Sequence, residues 1–183
     1  AMALIVTHLA AATGALTWTV LEWKKFGKPS ALGIVTGMVA GLGTITPASG
    51  FVSPAAAIVI GFSAGIICFY ATLYMKHTLK IDDSLDAFPV HGVGGILGSF
   101  LVGIFCASGL GAFSGYGFGG DNSSISEQVT TQLIAIVSVF AYTGIISWGI
   151  LKLVDKITGL RVEDDDESIG LDISLHEEKG YDL

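Results

Sequence analysis

The sequence predicts an all-α membrane protein, a polytopic helical bundle with five transmembrane helices. Of its 183 residues, 51% are hydrophobic and 14% are charged, whereas a soluble domain carries about 25% charged residues. Four stretches contain no charged residue at all: residues 1–21, 29–75, 87–120 and 128–151. A helix that crosses a bilayer needs about 20 apolar residues. These stretches therefore hold one, two, one and one helices, and a soluble enzyme is excluded.

Breaks between the apolar stretches set the helix boundaries. Proline and glycine separate the first three helices, at GKPS and TPASGFVSP. A polar loop, KHTLKIDDSLD, precedes the fourth helix, and a loop rich in glycine, serine and aromatic residues follows it. The predicted helices cover residues 2–22, 31–49, 54–76, 87–107 and 128–153. They form a transmembrane domain over residues 1–158, embedded in membrane lipid, followed by an acidic tail over residues 159–183.

Basic residues predict the orientation of the bundle. They follow the first, third and fifth helices, as Lys24, Lys25, Lys28, Lys76, Lys80, Lys152, Lys156 and Arg161. Because cytoplasmic loops carry an excess of lysine and arginine, the first residue is expected outside and the tail in the cytoplasm of a multi-pass plasma-membrane protein. Ten of the sixteen acids lie from Asp155 onward, so the net charge of −7 belongs to the tail. No basic patch indicates a nucleic-acid partner.

Small residues at helical spacing predict close packing between helices. They recur four residues apart in three rows, Gly33/Gly37/Gly41, Gly61/Gly65 and Gly94/Gly98. Cys68 and Cys106 lie in apolar stretches and are interpreted as packing residues. The scattered histidines show no metal-ligand spacing. No nucleophile–base pair or phosphate loop is visible, so we predict neither a cofactor nor an enzyme.

His91 is the most informative polar residue, about one turn inside the predicted fourth helix. On a regular helix it shares a face with Ala87, Phe88, Gly94, Gly95 and Gly98. Two interpretations stay open. The glycines form a close helix contact beside a packed histidine that bonds a backbone carbonyl, or they leave a narrow lumen that the histidine lines. For His8, near the outer end of the first helix, a packing or interfacial role is favoured, and His77 and His176 are expected in solvent.

Three acids stand just before the fourth helix: Asp82, Asp83 and Asp86. An acid at a helix N-terminus caps free N–H groups, which accounts for at least one of them, and the others can attract cations at a pore mouth. Near the outer end of the second helix, Thr44, Thr46 and Ser49 are expected to hydrogen-bond a helix broken at Pro47.

DDSLDAFPVHGVGGILGSFLVGIF (82–105) resembles the signature helix of the ammonium transporter (Amt/Mep/Rh) family. Residues 22–54 resemble the segment that precedes it in the family, and residues 160–183 resemble the family's cytoplasmic tail. The resemblance places the chain on the last five of eleven helices and implies a missing N-terminal half. It also implies a homotrimer in which each subunit has its own hydrophobic pore. Ammonium is deprotonated there, and ammonia passes two pore histidines.

The resemblance assigns roles to individual residues. His91 matches the second pore histidine, whereas His8 does not match the first, which belongs to the absent half. Phe88, Val90 and Thr46 are implied as further pore residues. Asp83, Asp86 and Ser30 match positions at the cytoplasmic pore exit, and Ser30 lies where regulatory PII proteins approach.

The tail carries the implied regulatory residues Gly170, Asp172, Ser174 and Tyr181. Ser174 falls where plant relatives have a regulatory threonine, whereas His176-Glu177 departs from the family's His-Gly pair. Two alternative functions follow: an ammonium sensor that couples to PII proteins through its tail, or a non-transporting fragment that needs the missing half.

Overall fold

The computed structural model describes residues 1–180, and no strand occurs in that range. Seven α-helices follow in chain order: α1 Met2–Phe26, α2 Ala31–Ile45, α3 Pro54–Leu73, α4 Gly94–Phe105, α5 Ile125–Thr158, α6 Asp164–Ile169 and α7 Leu171–His176. A first π turn, Tyr74–Leu79, extends α3, and a second π turn, Phe88–Val93, leads into α4. The predicted all-α class is confirmed, and an α-helix lies in each of the five predicted ranges.

Within residues 1–180, four helical segments are long and apolar enough to cross a bilayer: Met2–Phe26, Pro54–Leu79, Phe88–Phe105 and Ile125–Thr158. α2 is shorter, with 15 residues, or about 22 Å at the usual rise per residue. It ends at Ile45 and not at residue 49 as predicted, because Pro47 has no N–H to donate to a carbonyl of the preceding turn. Pro47 thus converts residues 46–51 into turns, closed by the Ala48 N–H on the Ile45 carbonyl at 2.8 Å.

Glycine rows bring the first three helices into close contact, as predicted. A Cβ at Gly61 would lie 2.7 Å from Ala10 Cα, and one at Gly37 would lie 3.0 Å from Trp18 Cγ. Gly41 likewise faces the Ala10 carbonyl group. Because glycine has no side chain at these positions, the backbones of the three helices can approach closely.

Two apolar clusters form the core around these contacts. The first cluster contains Val6, Ala10, Ile45, Ala48, Val52, Ala56, Ala57, Ile60, Val102 and Cys106. The second contains Trp18, Ala40, Cys68, Phe69 and Val90. Both cysteines are buried and unpaired, which confirms their interpretation as packing residues.

The chain forms two compact units, one over residues 1–137 and one from residue 138 onward. The first contains α1 to α4 and every candidate pore residue. Within the second, Arg161 binds Glu167 in a bidentate pair, with Nη2–Oε1 at 2.8 Å and Nε–Oε2 at 3.1 Å. The predicted end of a transmembrane domain at residue 158 stays a prediction.

Candidate functional site

His91 lies in the second π turn, on the open side of the first unit. Its side chain is exposed, and it accepts or donates no hydrogen bond among residues 1–180. Its Nδ1 lies 3.9 Å from the position that a Cβ on Gly43 of α2 would take. The imidazole therefore stands beside α2 with its polar atoms available, and a packed histidine bonded to a backbone carbonyl is not found at this position.

The glycines that follow His91 divide between two environments. A Cβ at Gly94 would lie 2.9 Å from Thr44 Oγ1 and 3.4 Å from Cys68 Sγ, and Gly98 packs against the Thr44 carbonyl. Gly95, in contrast, has no atom of another described segment within 4 Å of its Cβ position. Close packing thus accounts for Gly94 and Gly98, whereas Gly95 faces open space.

The two predicted pore residues beside His91 lie on different sides. Phe88 is 47% exposed, and its ring occupies the space beside Gly92, where a Cβ would lie 2.9 Å from Phe88 Cδ2. Val90 is only 3% exposed and packs in the core with Trp18 and Phe69. Adjacent helical residues point about 100° apart. The Val90 side chain can therefore face the interior of the bundle while the neighbouring His91 side chain is exposed. The implied role of Val90 in lining the pore stays a prediction.

The acids before the π turn are engaged with the protein itself. Asp83 accepts hydrogen bonds from the N–H groups of Ala87 at 2.8 Å and Phe88 at 2.9 Å, which confirms the capping prediction for this residue. These N–H donors lower the pKa of Asp83, because they stabilise the carboxylate, and the positive charge of Lys76 adds to the effect. Asp86 forms an ion pair with Lys76, Oδ1 to Nζ, at 2.8 Å.

Ser30 is the N-cap of α2, and its hydroxyl is engaged. Its Oγ accepts the Gly33 N–H at 2.9 Å and donates to Glu22 Oε1 at 2.9 Å. The Ser30 N–H also donates to Glu22 Oε2 at 2.7 Å. Sequence analysis did not identify Glu22, although it is the single acid in α1 and α2. Gly33 leaves the space that the Glu22 carboxylate fills.

Two threonines near the end of α2 differ in environment. Thr46 is exposed, and its Oγ1 donates to the Leu42 carbonyl at 2.7 Å, as expected next to Pro47. Ser49 donates more weakly to the Thr46 carbonyl, at 3.4 Å. Thr44 is fully buried against α4 and holds the contact with Gly98. Thr46 is therefore exposed at the end of α2, and its pore role stays a prediction, whereas Thr44 belongs to the helix interface.

The tail residues form a compact local motif. Gly170 joins α6 to α7 with φ +102° and ψ +131°, a backbone conformation that residues with a Cβ rarely adopt. Ser174 Oγ donates to the Asp166 carbonyl at 3.4 Å, and Asp172 lies in the first turn of α7. Tyr181 lies outside the described residues. His8 and His77 are exposed, the latter in the first π turn.

Comparison with known proteins gives a uniform result. A model described as Ammonium Transporter Family matches residues 1–181. The chain is 45% identical over 179 residues to ammonium transporter Amt1 of Archaeoglobus fulgidus, covering 98% of this chain and 44% of that protein.

Two solved structures are similar to this fold. Saccharomyces cerevisiae Mep2 has a TM-score of 0.74 at 40% identity, covering 86% of this chain and 38% of Mep2. A protein described as Sensor Amt Protein has a TM-score of 0.84 at 28% identity, covering 95% of this chain and 41% of its own. The chain thus spans less than half the length of each of these relatives.

Proposed function

Since the chain belongs to the ammonium transporter family, we propose that it forms part of a pore that carries ammonium across the plasma membrane, with His91 lining the lumen. The observation that carries this proposal is the exposed imidazole of His91, without a hydrogen-bond partner in the described part of the chain. An ionisable residue within a membrane segment usually faces a cavity or a bundle interior. Open space beside Gly95, one turn along the helix, supports the same assignment.

The chemistry follows from the difference between ammonium and potassium. The two cations are similar in size and charge, so a dry apolar passage resists both. Ammonium alone can release a proton and cross as neutral ammonia. A neutral imidazole at His91 can accept a hydrogen bond from ammonia or take part in the separate transfer of the proton. The exposed Phe88 ring, one turn before His91, supplies an apolar wall.

In our proposal, the complete pore also needs residues that are not in this chain. A second histidine from a preceding half completes the pair with His91, and three subunits assemble as a homotrimer. The orientation is the one predicted from the lysines, with the tail in the cytoplasm. At the proposed cytoplasmic exit, Asp83, Asp86 and Ser30 are all hydrogen-bonded or ion-paired. We infer that they shape the exit by holding its backbone.

The test is methylammonium uptake by cells that express the full-length protein with His91→Ala. We expect uptake to fall to the background, because the lumen loses the group that accepts ammonia's hydrogen bond. The matched control is His77→Ala, which removes an exposed imidazole in the first π turn and should leave uptake unchanged. Transport and ammonium-over-potassium selectivity that survive His91→Ala, in protein present at the normal membrane level, refute the lumen assignment.

A second candidate function is ammonium sensing. It is favoured by the likeness to the Sensor Amt Protein, whose fold covers 95% of this chain. In this alternative, ammonium binding is passed to a regulatory PII protein through the tail. The His91→Ala protein separates the two functions, because a pure sensor keeps its PII response to ammonium when transport is lost. Loss of both together favours transport as the primary activity.

A further inference from the structure

We propose that Lys76 is a positioning residue for the π turn that carries His91. This inference rests on the proposed function, since it concerns the same histidine, and it adds a residue that lies outside the lumen. Lys76 belongs to the first π turn, and Asp86 stands one residue before the helical start at Ala87 that opens the second. Their ion pair, Nζ to Oδ1 at 2.8 Å, joins the two π turns across the loop between them.

Burial distinguishes this pair from an ordinary surface ion pair. The Asp86 side chain is 14% exposed and the Lys76 side chain is 36% exposed. Pairs between fully solvated side chains contribute little. Where one carboxylate is largely removed from water, loss of its partner leaves an uncompensated charge, and the local structure must rearrange to solvate it.

Asp86 adopts a backbone conformation that needs such support. Its φ is +55°, in the left-handed region that a Cβ disfavours. Residues in this region persist where the surroundings determine them, and they occur often at functional sites. The Asp86 carbonyl accepts the Val90 N–H at 3.0 Å. The conformation of Asp86 therefore sets the direction in which the turn carrying His91 begins.

Lys76 also acts on the second acid of this loop. Asp83 caps the Ala87 and Phe88 N–H groups, and the positive charge of Lys76 supports its ionised form. One cation thus stabilises both carboxylates that hold the start of the His91 turn. Two π turns on either side of one loop strengthen the argument, because π-helical segments are rare and are frequently found at functional sites.

The experiment is a double-mutant cycle in the full-length protein, with Lys76→Gln, Asp86→Asn and the double variant. Asparagine keeps the tolerance of position 86 for positive φ. We expect each single substitution to lower maximal methylammonium uptake about tenfold, as displacement of a functional group does. The double variant should be no worse than either single one, because both remove the same ion pair. Lys80→Gln, on an exposed lysine of the same loop, is the control and should transport normally.

The pH dependence of uptake separates positioning from general stability. A displaced His91 imidazole should shift the pH of half-maximal uptake in Lys76→Gln, whereas a merely destabilised protein keeps the profile at a lower amount. Lys76→Arg retains the ion pair and should restore both the rate and the profile, including where Lys76→Gln fails to reach the membrane. Normal uptake by Lys76→Gln, multiplied losses in the double variant, or no rescue by Lys76→Arg each overturn this inference. Only unchanged uptake by His91→Ala overturns the proposed function itself.

Discussion

Gly98→Ala tests the contact that places the His91-bearing helix against α2. A Cβ at Gly98 would overlap the Thr44 carbonyl oxygen, and it would also lie 2.8 Å from Thr44 C and 3.1 Å from Pro47 Cγ. The obstacle is backbone and a proline ring, neither of which can rotate away as the end of a flexible side chain does. Thr44 is also fully buried, so a shift there disturbs its other neighbours.

Gly95→Ala is the matched control, because it adds the same methyl group to the same helix, in open space. Replacing glycine by alanine within a helix stabilises by about 0.5–1 kcal/mol. That gain is common to both variants and cancels when they are compared. Overpacking of a tight contact costs about 1–3 kcal/mol. We therefore expect Gly98→Ala to be less stable than Gly95→Ala by about 1–3 kcal/mol.

The assay is the unfolding of the purified full-length protein in detergent, followed by helical circular dichroism as a denaturing detergent is added. Each variant gives a free energy of unfolding, and the comparison uses the difference between the two. If Gly98→Ala is at least as stable as Gly95→Ala, α4 does not rest on the Thr44 carbonyl. The argument that Gly98 serves helix contact would then fail.

Two further predictions concern the polar contacts at the proposed cytoplasmic end. Glu22→Gln keeps one acceptor for the two Ser30 donors, so we expect a loss of about 1 kcal/mol in the free energy of unfolding; an equal loss on top of Ser30→Ala would show that the two residues do not act together. The pKa of Asp83 is lower in the folded chain than its usual value of about 4. Its contribution is therefore complete above that pH and declines as the pH falls through the folded pKa. Unfolding measured between pH 3 and pH 6 should lose less stability toward low pH in Asp83→Asn than in the unchanged protein, and identical slopes would contradict the assignment.

Much of the site was predictable because its signals are local in the chain. The family indicated by residues 82–105 is confirmed. The Asp83 cap was predictable because it involves residues four and five positions away. The glycine rows predicted their helix contacts, because glycines spaced one turn apart allow the backbones of two helices to approach closely. The burial of Val90 was not predictable, because its position next to His91 in the sequence does not reveal which side of the turn each side chain takes.

Contacts between distant segments were not predictable in the same way. Lys76 and Asp86 flank a polar loop, and their charges alone left open whether they pair or remain solvated. The Glu22–Ser30 contact spans a turn whose geometry depends on Gly27 at φ +81°. The pattern of apolar residues also did not predict the two π turns. A π turn changes the directions in which side chains point, but it needs no particular residue types.

By itself, the sequence determined the all-α class and the order of the apolar segments, and it pointed to the one histidine to examine. Long charge-free stretches must be buried in lipid or in protein. This can be concluded from the sequence without knowing which helices pack against each other. The tertiary structure alone decided which side of the π turn is open. It placed His91 and Gly95 toward open space, and Val90, Gly94 and Gly98 toward packed helices. For the glycines, this division depends on how closely α4 approaches α2. The composition of the chain does not reveal that distance.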